Sequence, residues 1–206
     1  MTEVRKRQRR KEARPQEILA AAVSVFTEKG FAAAQVQEIA TRAGVAKGTV
    51  YLYYKTKQEI FEEIVRANVS PVFSKLNDLL HVRQGSAADL LCVVLESLYR
   101  ELVDVPDRRV VIKVLISEGG QFPELVEFYY REVLQFAEKL LRTLLENGRD
   151  AGEFRACPAL LEPRVVVGPV ILASVWRMTF EKISPLDLPK FVKAHLDLVL
   201  NGLLIR

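Results

Sequence analysis

Residues 35–54, which read QVQEIATRAGVAKGTVYLYY, limit the fold of this chain more than any other stretch. Apolar residues recur at helical spacing before and after Ala43-Gly44-Val45. Gly44 can adopt the positive φ that a tight connection between two helices needs. The stretch therefore predicts two short helices, over residues 36–42 and 46–54, with Val50 and Tyr54 of the second facing inward.

Helical periodicity also accounts for the rest of the chain. A first helix is predicted over residues 15–29, and a Thr56-x-x-Glu59 capping box begins a fourth helix that Pro71 kinks or splits before residue 81. Turn and cap signals separate five more helices, over residues 86–103, 108–117, 123–146, 164–182 and 186–203. The valine-rich runs 110–112 and 165–167 lie inside longer helical periods. We therefore expect an all-α fold of about nine helices.

Composition excludes several classes of protein. The sequence contains neither 18 consecutive apolar residues nor an apolar segment behind its arginine-rich start, so we expect no membrane span and a cytoplasmic location. Cys92 and Cys157 match no metal-ligand spacing and are interpreted as two free thiols. No metal site is predicted.

Charge is distributed unevenly along the chain. Residues 1–60 contain twelve Lys or Arg and six Glu, whereas the remainder contains 18 basic and 20 acidic residues. A basic excess confined to one end suits a polyanionic partner. Residues 1–14 are predicted to form a flexible basic arm, with a solvated tail of no function as the alternative. A helix-turn-helix domain would follow over residues 15–62, and a larger helical domain over residues 63–206.

The N-terminal pattern resembles that of TetR-type transcriptional regulators. The match covers about residues 14–62 without a gap, and it includes more positions than a generic helix-turn-helix would. It is carried by Ile18, Ala22, Phe26, Gly30, Phe31, Ile39-Ala40, Ala43-Gly44-Val45, Lys47-Gly48-Thr49-Val50-Tyr51, Tyr53-Tyr54 and Lys57. The resemblance implies that the second short helix, residues 46–54, recognises a palindromic double-stranded DNA operator.

Several residues are expected to contact DNA if the resemblance holds. Lys47 could donate to guanine or to a phosphate, Thr49 could meet a thymine methyl group, and tyrosine hydroxyls could reach phosphates. Leu52, Ala46 and Gln35 depart from residues common in the family, which leaves Leu52 with apolar contact only. The predicted DNA-binding residues are Arg10, Arg14, Gln35, Lys47, Gly48, Thr49, Tyr51, Leu52, Tyr53, Lys55 and Lys57.

The predicted eighth helix, residues 164–182, is apolar on nearly every side and must be covered on every side. Burial against its own core and against a second subunit would achieve this, and the family resemblance implies the same homodimer through the last two helices. A central helix of a monomeric core is the alternative. The predicted interface residues are Val167, Ile171, Trp176, Phe191, His195, Leu196 and Val199.

Aromatic and polar residues of the C-terminal helices are candidates for an effector pocket: Phe73, Asn77, Tyr99, Phe122, Phe128, Tyr129, Phe136, Trp176 and Arg177. They favour a small apolar or aromatic effector of unknown identity. We expect a repressor that this effector releases from its operator, with an activator or a ligand-independent regulator as the alternative.

Other classes of protein fit the sequence less well. It has no nucleophile elbow, phosphate-binding glycine loop or HExxH motif, so no enzyme, catalytic residue or cofactor is predicted. A sensor that does not bind DNA would leave the basic arm and the helix-turn-helix unexplained.

Overall fold

The computed structural model describes residues 2–82 and 85–205, with side chains for residues 13–78 and 85–205. The prediction of an all-α fold is confirmed. The α-helices are α1 (Thr2–Ala33), α2 (Val36–Arg42), α3 (Lys47–Tyr53), α4 (Lys57–Asn68), α5 (Ser70–Val82), α6 (Ala87–Leu98), α7 (Pro106–Glu118), α8 (Pro123–Tyr129), α9 (Gln135–Asp150), α10 (Pro158–Leu161), α11 (Arg164–Thr179) and α12 (Leu188–Leu203). Within the described ranges, β pairing is limited to one isolated bridge between Phe154 and Leu204.

Two π-helical segments interrupt the α-helical sequence. The first, Tyr99–Val103, continues directly from α6, and the second, Tyr130–Leu134, joins α8 to α9. Such segments are rare and occur frequently at functional sites. The sequence predicts helix over both segments but contains no signal that distinguishes a π turn from an α turn.

The chain divides into two compact units, and neither is continuous in sequence. The first unit contains Met1–Ala67 and Val110–Phe128, and the second contains Asn68–Arg109 and Tyr129–Arg206. The predicted boundary after residue 62 lies close to the first division. The sequence did not indicate that most of α7 and α8 belong to the N-terminal unit.

The first unit has a continuous apolar core. Ile18 and Phe26 of α1, Ile39 of α2, Val50 of α3 and Phe61 of α4 have no exposed surface. Burial of such side chains contributes about 1.5–3 kcal/mol each. This core fixes α2 and α3 against α1 and α4.

Helix α1 extends further toward the N-terminus than the sequence predicts. It begins at Thr2, so the expected flexible arm is helical and Pro15 lies inside the helix. The Lys, Arg, Glu and Gln residues that suggested a solvated tail are also good helix formers, which accounts for the error. At the other end Gly30, with φ of 79° and ψ of 177°, breaks the helical geometry.

The second unit places α6, α9 and α11 around its apolar core. Residues without exposed surface include Leu91 and Leu95 of α6, Leu145 of α9 and Ala173 of α11. The split predicted near Pro71 is confirmed, because α4 ends at Asn68 and α5 begins at Ser70. The predicted cap of α6 is also confirmed, since the Ser86 hydroxyl accepts a hydrogen bond from the Asp89 amide.

Helix α9 does not end at Asn147-Gly148, as the sequence suggests, but at Asp150. A Cβ atom on Gly148 would lie 2.3 Å from Phe154 Cδ2, so this glycine allows close packing and does not stop the helix. Gly152, with φ of 74°, follows the true end of the helix. The short helix α10 was not predicted.

None of the described helices combines the length and the apolar character needed to cross a membrane.

Candidate nucleic-acid interface and apolar cavity

The α2–α3 hairpin has the geometry predicted for residues 35–54. Gly44 adopts φ of 64°, and the Val45 amide donates to the Ala40 carbonyl at 3.0 Å across the turn. Ala46 precedes α3 without a side-chain cap, as its methyl group requires. Val50 and Tyr54 are buried, and burial raises the pKa of Tyr54 to about 12. Helix α3 is thus anchored by one face and leaves the other face exposed.

Ion pairs attach α2 to α1. Arg42 donates from Nη1 and Nη2 to the two carboxylate oxygens of Glu28, at 2.7 and 2.8 Å, and Nη1 also donates to Ser24 Oγ. The Lys29 ammonium group donates to one carboxylate oxygen of Glu38, Oε1. Hydrogen bonds from these cations hold the pKa of Glu28 and of Glu38 below the usual value. These bidentate and paired contacts fix the orientation of α2.

The exposed face of α3 presents five of the predicted DNA-binding residues. Lys47, Gly48, Tyr51, Leu52 and Tyr53 are all exposed, and Leu52 exposes 82% of its surface. The Lys47 ammonium group lies 5.8 Å from the centre of the Tyr51 ring, so the two side chains form one cationic and aromatic surface. Thr49 is half-buried beside them.

Lys57 conflicts with its predicted phosphate contact. Its ammonium group donates to the carbonyl oxygens of Phe31, Ala32 and Ala34, so its three N–H donors are directed into the unit. Burial lowers the pKa of Lys57, while the charge of Glu118 opposes that shift. Lys57 is a structural lysine here.

The other predicted residues at the N-terminal end differ in availability. Lys55 is exposed beside the start of α4, where the Thr56 hydroxyl accepts from the Glu59 amide and confirms the predicted cap. Gln35 is exposed, and its backbone N–H donates to Glu38 Oε2 at 3.3 Å. Arg14 pairs with Glu17 at 2.8 Å on α1, whereas the side chain of Arg10 lies outside the described residues.

The second unit contains an apolar cavity of about 420 Å³. Glu138 and Arg164 are the charged members of its wall, and Tyr129 and Tyr130 add phenol groups. A volume and composition of this kind are typical of sites for apolar small molecules. The apolar wall is formed by Phe73, Leu76, Val94, Leu98, Leu102, Leu134, Leu140, Leu141, Val167, Val170 and Ile171, with Gly168.

Charges at the cavity wall are paired. Arg164 donates from Nε and Nη2 to the two carboxylate oxygens of Glu162, each at 2.5 Å, and Arg142 donates to Glu138 at 3.0 Å. The side chain of Arg164 is 72% exposed. The cavity wall therefore includes a guanidinium group that is exposed to solvent and balanced by a carboxylate.

Only two of the nine predicted pocket residues, Phe73 and Tyr129, line this cavity. Asn77 and Phe136 line a separate, more polar cavity of the second unit, of about 650 Å³. Tyr99 is buried against His195, and Arg177 pairs with Asp104 and Glu181. Phe122 and Phe128 belong to the first unit, and Trp176 donates to the Ser184 carbonyl. Aromatic character alone did not separate cavity residues from core residues.

Helices α11 and α12 expose a set of apolar side chains, but these differ from most of the predicted interface residues. Exposed fractions are 59% for Val165, 53% for Leu172 and 72% for Leu198, and Ile171 is also exposed at 41%. Trp176, Phe191, Leu196 and Val199 are half-buried, and Val167 contributes to the cavity wall. The spacing of seven residues between Val165 and Leu172 could have indicated this face from the sequence.

His195 is a correction to the predicted interface. It is 5% exposed, and its Nδ1 lies 2.8 Å from the Tyr99 hydroxyl within the same subunit. Burial lowers the pKa of His195. A side chain buried in this way is not available to a second subunit.

Comparison with known proteins places this geometry in context. The sequence model of a family described as "Bacterial regulatory proteins, tetR family" matches residues 18–64. The HTH-type transcriptional repressor KstR2 of Rhodococcus jostii (strain RHA1) is 30% identical over 94% of this chain and 92% of its own length. The fatty acid metabolism regulator protein of Bacillus subtilis (strain 168) is 25% identical over 94% of this chain and 98% of its own length.

Solved structures include a similar protein. The crystal structure of the transcriptional regulator FadR from Bacillus subtilis in complex with stearoyl-CoA matches 91% of this chain and 98% of that chain. The TM-score is 0.76 and the sequence identity 25%.

Proposed function

Because the chain belongs to the TetR family of bacterial regulatory proteins, it is a DNA-binding transcriptional regulator, and we propose that an amphiphile with a long apolar chain releases it from its operator. It acts as a repressor in the compartment that holds the DNA, the cytoplasm. The observation that carries this proposal is the apolar cavity of about 420 Å³, whose wall includes the solvent-exposed side chain of Arg164. A chain would occupy the apolar part and a polar head would remain near Arg164.

The similar Bacillus subtilis FadR structure supports the ligand class, because it holds stearoyl-CoA. A long-chain acyl thioester combines the apolar chain and polar head that the cavity of this protein would accommodate. A ligand that binds the released conformation preferentially lowers operator affinity by linkage.

On the DNA side, the exposed α3 face supports sequence recognition by Lys47, Tyr51 and Leu52, with Thr49 beside them. Tyr53 and Lys55 are exposed at the end of α3 and would donate to phosphates. Lys47 and Leu52 offer different chemistry, a donor for guanine and an apolar contact for a thymine methyl group.

A homodimer completes the proposal. The exposed apolar residues Val165, Leu172 and Leu198 support pairing of α11 and α12 with the same helices of a second subunit. A two-fold dimer presents two α3 helices to successive major grooves, which lie roughly 34–36 Å apart.

The test measures operator binding and its release. Genomic fragments, including the region upstream of the chain's own gene, are compared with random duplex by fluorescence anisotropy, without and with palmitoyl-CoA. We expect preference for a palindrome and a loss of affinity of about 5- to 150-fold with ligand, the usual range of allosteric coupling. Absence of any sequence preference would refute the regulator role, and an unchanged affinity with bound palmitoyl-CoA would refute the effector class.

A cavity variant separates these two parts of the proposal. A Cβ atom on Gly168 meets no neighbour within 4 Å, and this residue lines the cavity. Gly168→Leu should therefore occupy part of the cavity, retain operator binding and weaken the response to palmitoyl-CoA. Gly168→Ala, which adds one methyl group, serves as the control and should keep most of that response.

A further inference from the structure

The turn that ends α1 is held by a residue far away in sequence. Glu118, the last residue of α7, accepts hydrogen bonds at Oε1 from the Phe31 amide at 2.7 Å and at Oε2 from the Ala32 amide at 2.5 Å. Both partners belong to the first compact unit with Glu118. A carboxylate that accepts from two successive backbone amides forms strong charge-assisted hydrogen bonds.

These two amides need such a partner because Gly30 interrupts the helix before them. Its φ of 79° takes the following amides out of helical alignment. A Cβ atom at residue 30 would also lie 2.5 Å from Glu118 Oε1. Gly30 is thus required both by its own backbone conformation and by the close approach of the carboxylate.

Lys57 holds the carbonyl side of the same turn. Its ammonium group donates to Ala32 O and Ala34 O, each at 3.0 Å, and to Phe31 O. The amides and carbonyls of one short turn are therefore bound by an anion from α7 and a cation from α4. We refer to Glu118, Lys57 and residues 30–34 as the α1 clamp.

Aromatic and polar contacts extend the α1 clamp along α7 and the loop after it. The Phe31 ring lies 4.9 Å from the Phe122 ring at an interplanar angle of 76°. Lys113 donates to the Thr27 carbonyl at 2.6 Å. The segment around Glu118 therefore contacts α1 at three places, and α2 begins only a few residues beyond the clamped turn.

We infer that Glu118 is a positioning residue for operator binding: its carboxylate fixes the end of α1 and thereby the direction in which α2 and α3 leave it. Glu118 itself is not on the exposed α3 face. The role follows from its two hydrogen bonds to the turn that precedes Gln35, the first residue before α2.

The chain also connects the α1 clamp to the cavity wall in both directions. The first π-helical segment, which contributes Leu102 to the wall, precedes α7, and the second, which contributes Tyr130 and Leu134, follows α8. A ligand that rearranges either π-helical segment would therefore act on one end of the stretch formed by α7 and α8, which contains Glu118. This step rests on the proposed function: ligand occupancy lowers operator affinity by weakening the two Glu118 hydrogen bonds.

The experiment compares Glu118→Gln with the matched charge change Glu127→Gln, at an exposed residue of α8. The glutamine keeps one acceptor oxygen but directs an NH2 group toward a backbone donor. We expect operator affinity without ligand to fall at least about tenfold, as when one hydrogen bond to a charged group is lost. Affinity for random duplex should be unchanged, because the basic residues remain, and Glu127→Gln should match the wild type within about twofold.

Glu118→Asp provides the second variant. It keeps the charge but withdraws the carboxylate by one methylene group, so its operator affinity should lie between those of the wild type and Glu118→Gln. The factor by which palmitoyl-CoA reduces operator affinity should shrink in the same order. Thermal unfolding is followed for every variant.

Three results would overturn the inference. Glu118→Gln could bind the operator as tightly as the wild type, or it could lose operator binding and random-duplex binding to the same extent. As a third result, neither Glu118→Gln nor Glu118→Asp could fold, which would make Glu118 a residue required for folding. A wild-type protein that prefers no palindrome refutes the proposed function instead. If palmitoyl-CoA lowers the operator affinity of the wild type and of Glu118→Gln by the same factor, only the coupling between the α1 clamp and the cavity is refuted.

Discussion

Leu52 offers a direct test at the scale of a single residue, because 82% of its surface is exposed on α3. Leu52→Ala should leave the free energy of unfolding within about 0.5 kcal/mol of the wild type, as for most surface substitutions. Operator affinity should fall by about 1–2 kcal/mol if the side chain meets a thymine methyl group, while affinity for random duplex stays the same.

Paired anisotropy and thermal unfolding measurements check this prediction. Thr41→Ala is a suitable control, since Thr41 is exposed on α2 and its hydroxyl donates only to the Gln37 carbonyl of the same helix. Equal operator affinity of Leu52→Ala and the wild type would remove Leu52 from the interface and leave recognition to Lys47, Tyr51 and Thr49.

His195 makes a pH-dependent contribution to stability that can be isolated. Burial lowers its pKa, so the unfolded chain binds its proton more readily than the folded chain does. The stabilising effect of neutral His195 is therefore present above the ordinary pKa of about 6.5 and is lost as the pH falls below that value. The loss should not exceed about 1.4 kcal/mol per pH unit.

Denaturant unfolding at pH 7.5 and pH 5.5 checks this sign. His195→Gln keeps a polar partner for the Tyr99 hydroxyl but cannot titrate, so the wild type should lose more stability than the variant over this interval. A variant that loses as much stability as the wild type would show that other groups cause the pH dependence.

At the scale of helices, two glycines offer a matched comparison. Gly148 of α9 and Gly202 of α12 are both helical, but a Cβ atom would lie 2.3 Å from Phe154 at the first and meet nothing within 4 Å at the second. Gly148→Ala should destabilise the protein by about 1–3 kcal/mol through overpacking. Gly202→Ala should be neutral or stabilise by about 0.5–1 kcal/mol, because alanine favours a helix.

This prediction is checked by measuring the free energy of unfolding of each variant against that of the wild type. A similar change at both glycines would mean that Phe154 moves aside at little cost, and the close approach to Gly148 would then not be the reason that α9 contains a glycine.

Elements whose signals are local in sequence were predicted well. The turn at Gly44 and the caps at Thr56 and Ser86 depend on residues within five positions of one another, so the sequence contains the whole cause. The start of α1 was misjudged because a helix without an apolar face resembles a tail. The end of α9 was misjudged because the reason for Gly148 is Phe154, which lies beyond the helix.

Contacts between distant residues account for the rest of what the sequence did not indicate. The two hydrogen bonds of Glu118 join residues 87 and 86 positions apart, and no spacing rule covers such a pair. For the same reason, the exposed residues of α3 could be proposed as DNA contacts from the sequence, whereas most cavity residues could not be predicted. Helical periodicity shows which side of a helix is apolar but not whether that side faces a core, a cavity or another subunit.

For the whole molecule, the proposed dimer gives the last prediction. Leu172 is 53% exposed on α11 in a single chain, and a glutamate there would need to be desolvated in a dimer but not in a monomer. Leu172→Glu should therefore sediment as a monomer at concentrations where the wild type is a dimer. Its α3 helix would be unaltered, so each monomer should still bind one operator half-site.

Affinity for a full palindrome shows whether the dimer is needed for DNA binding. Two linked α3 helices bind a full palindrome with an effective-concentration advantage of about 10²–10⁴ over a single half-site. The wild type should show this advantage, and Leu172→Glu should bind the palindrome and the half-site with nearly equal affinity per site. A monomeric variant that retains the full preference would place the functional contact between subunits away from α11.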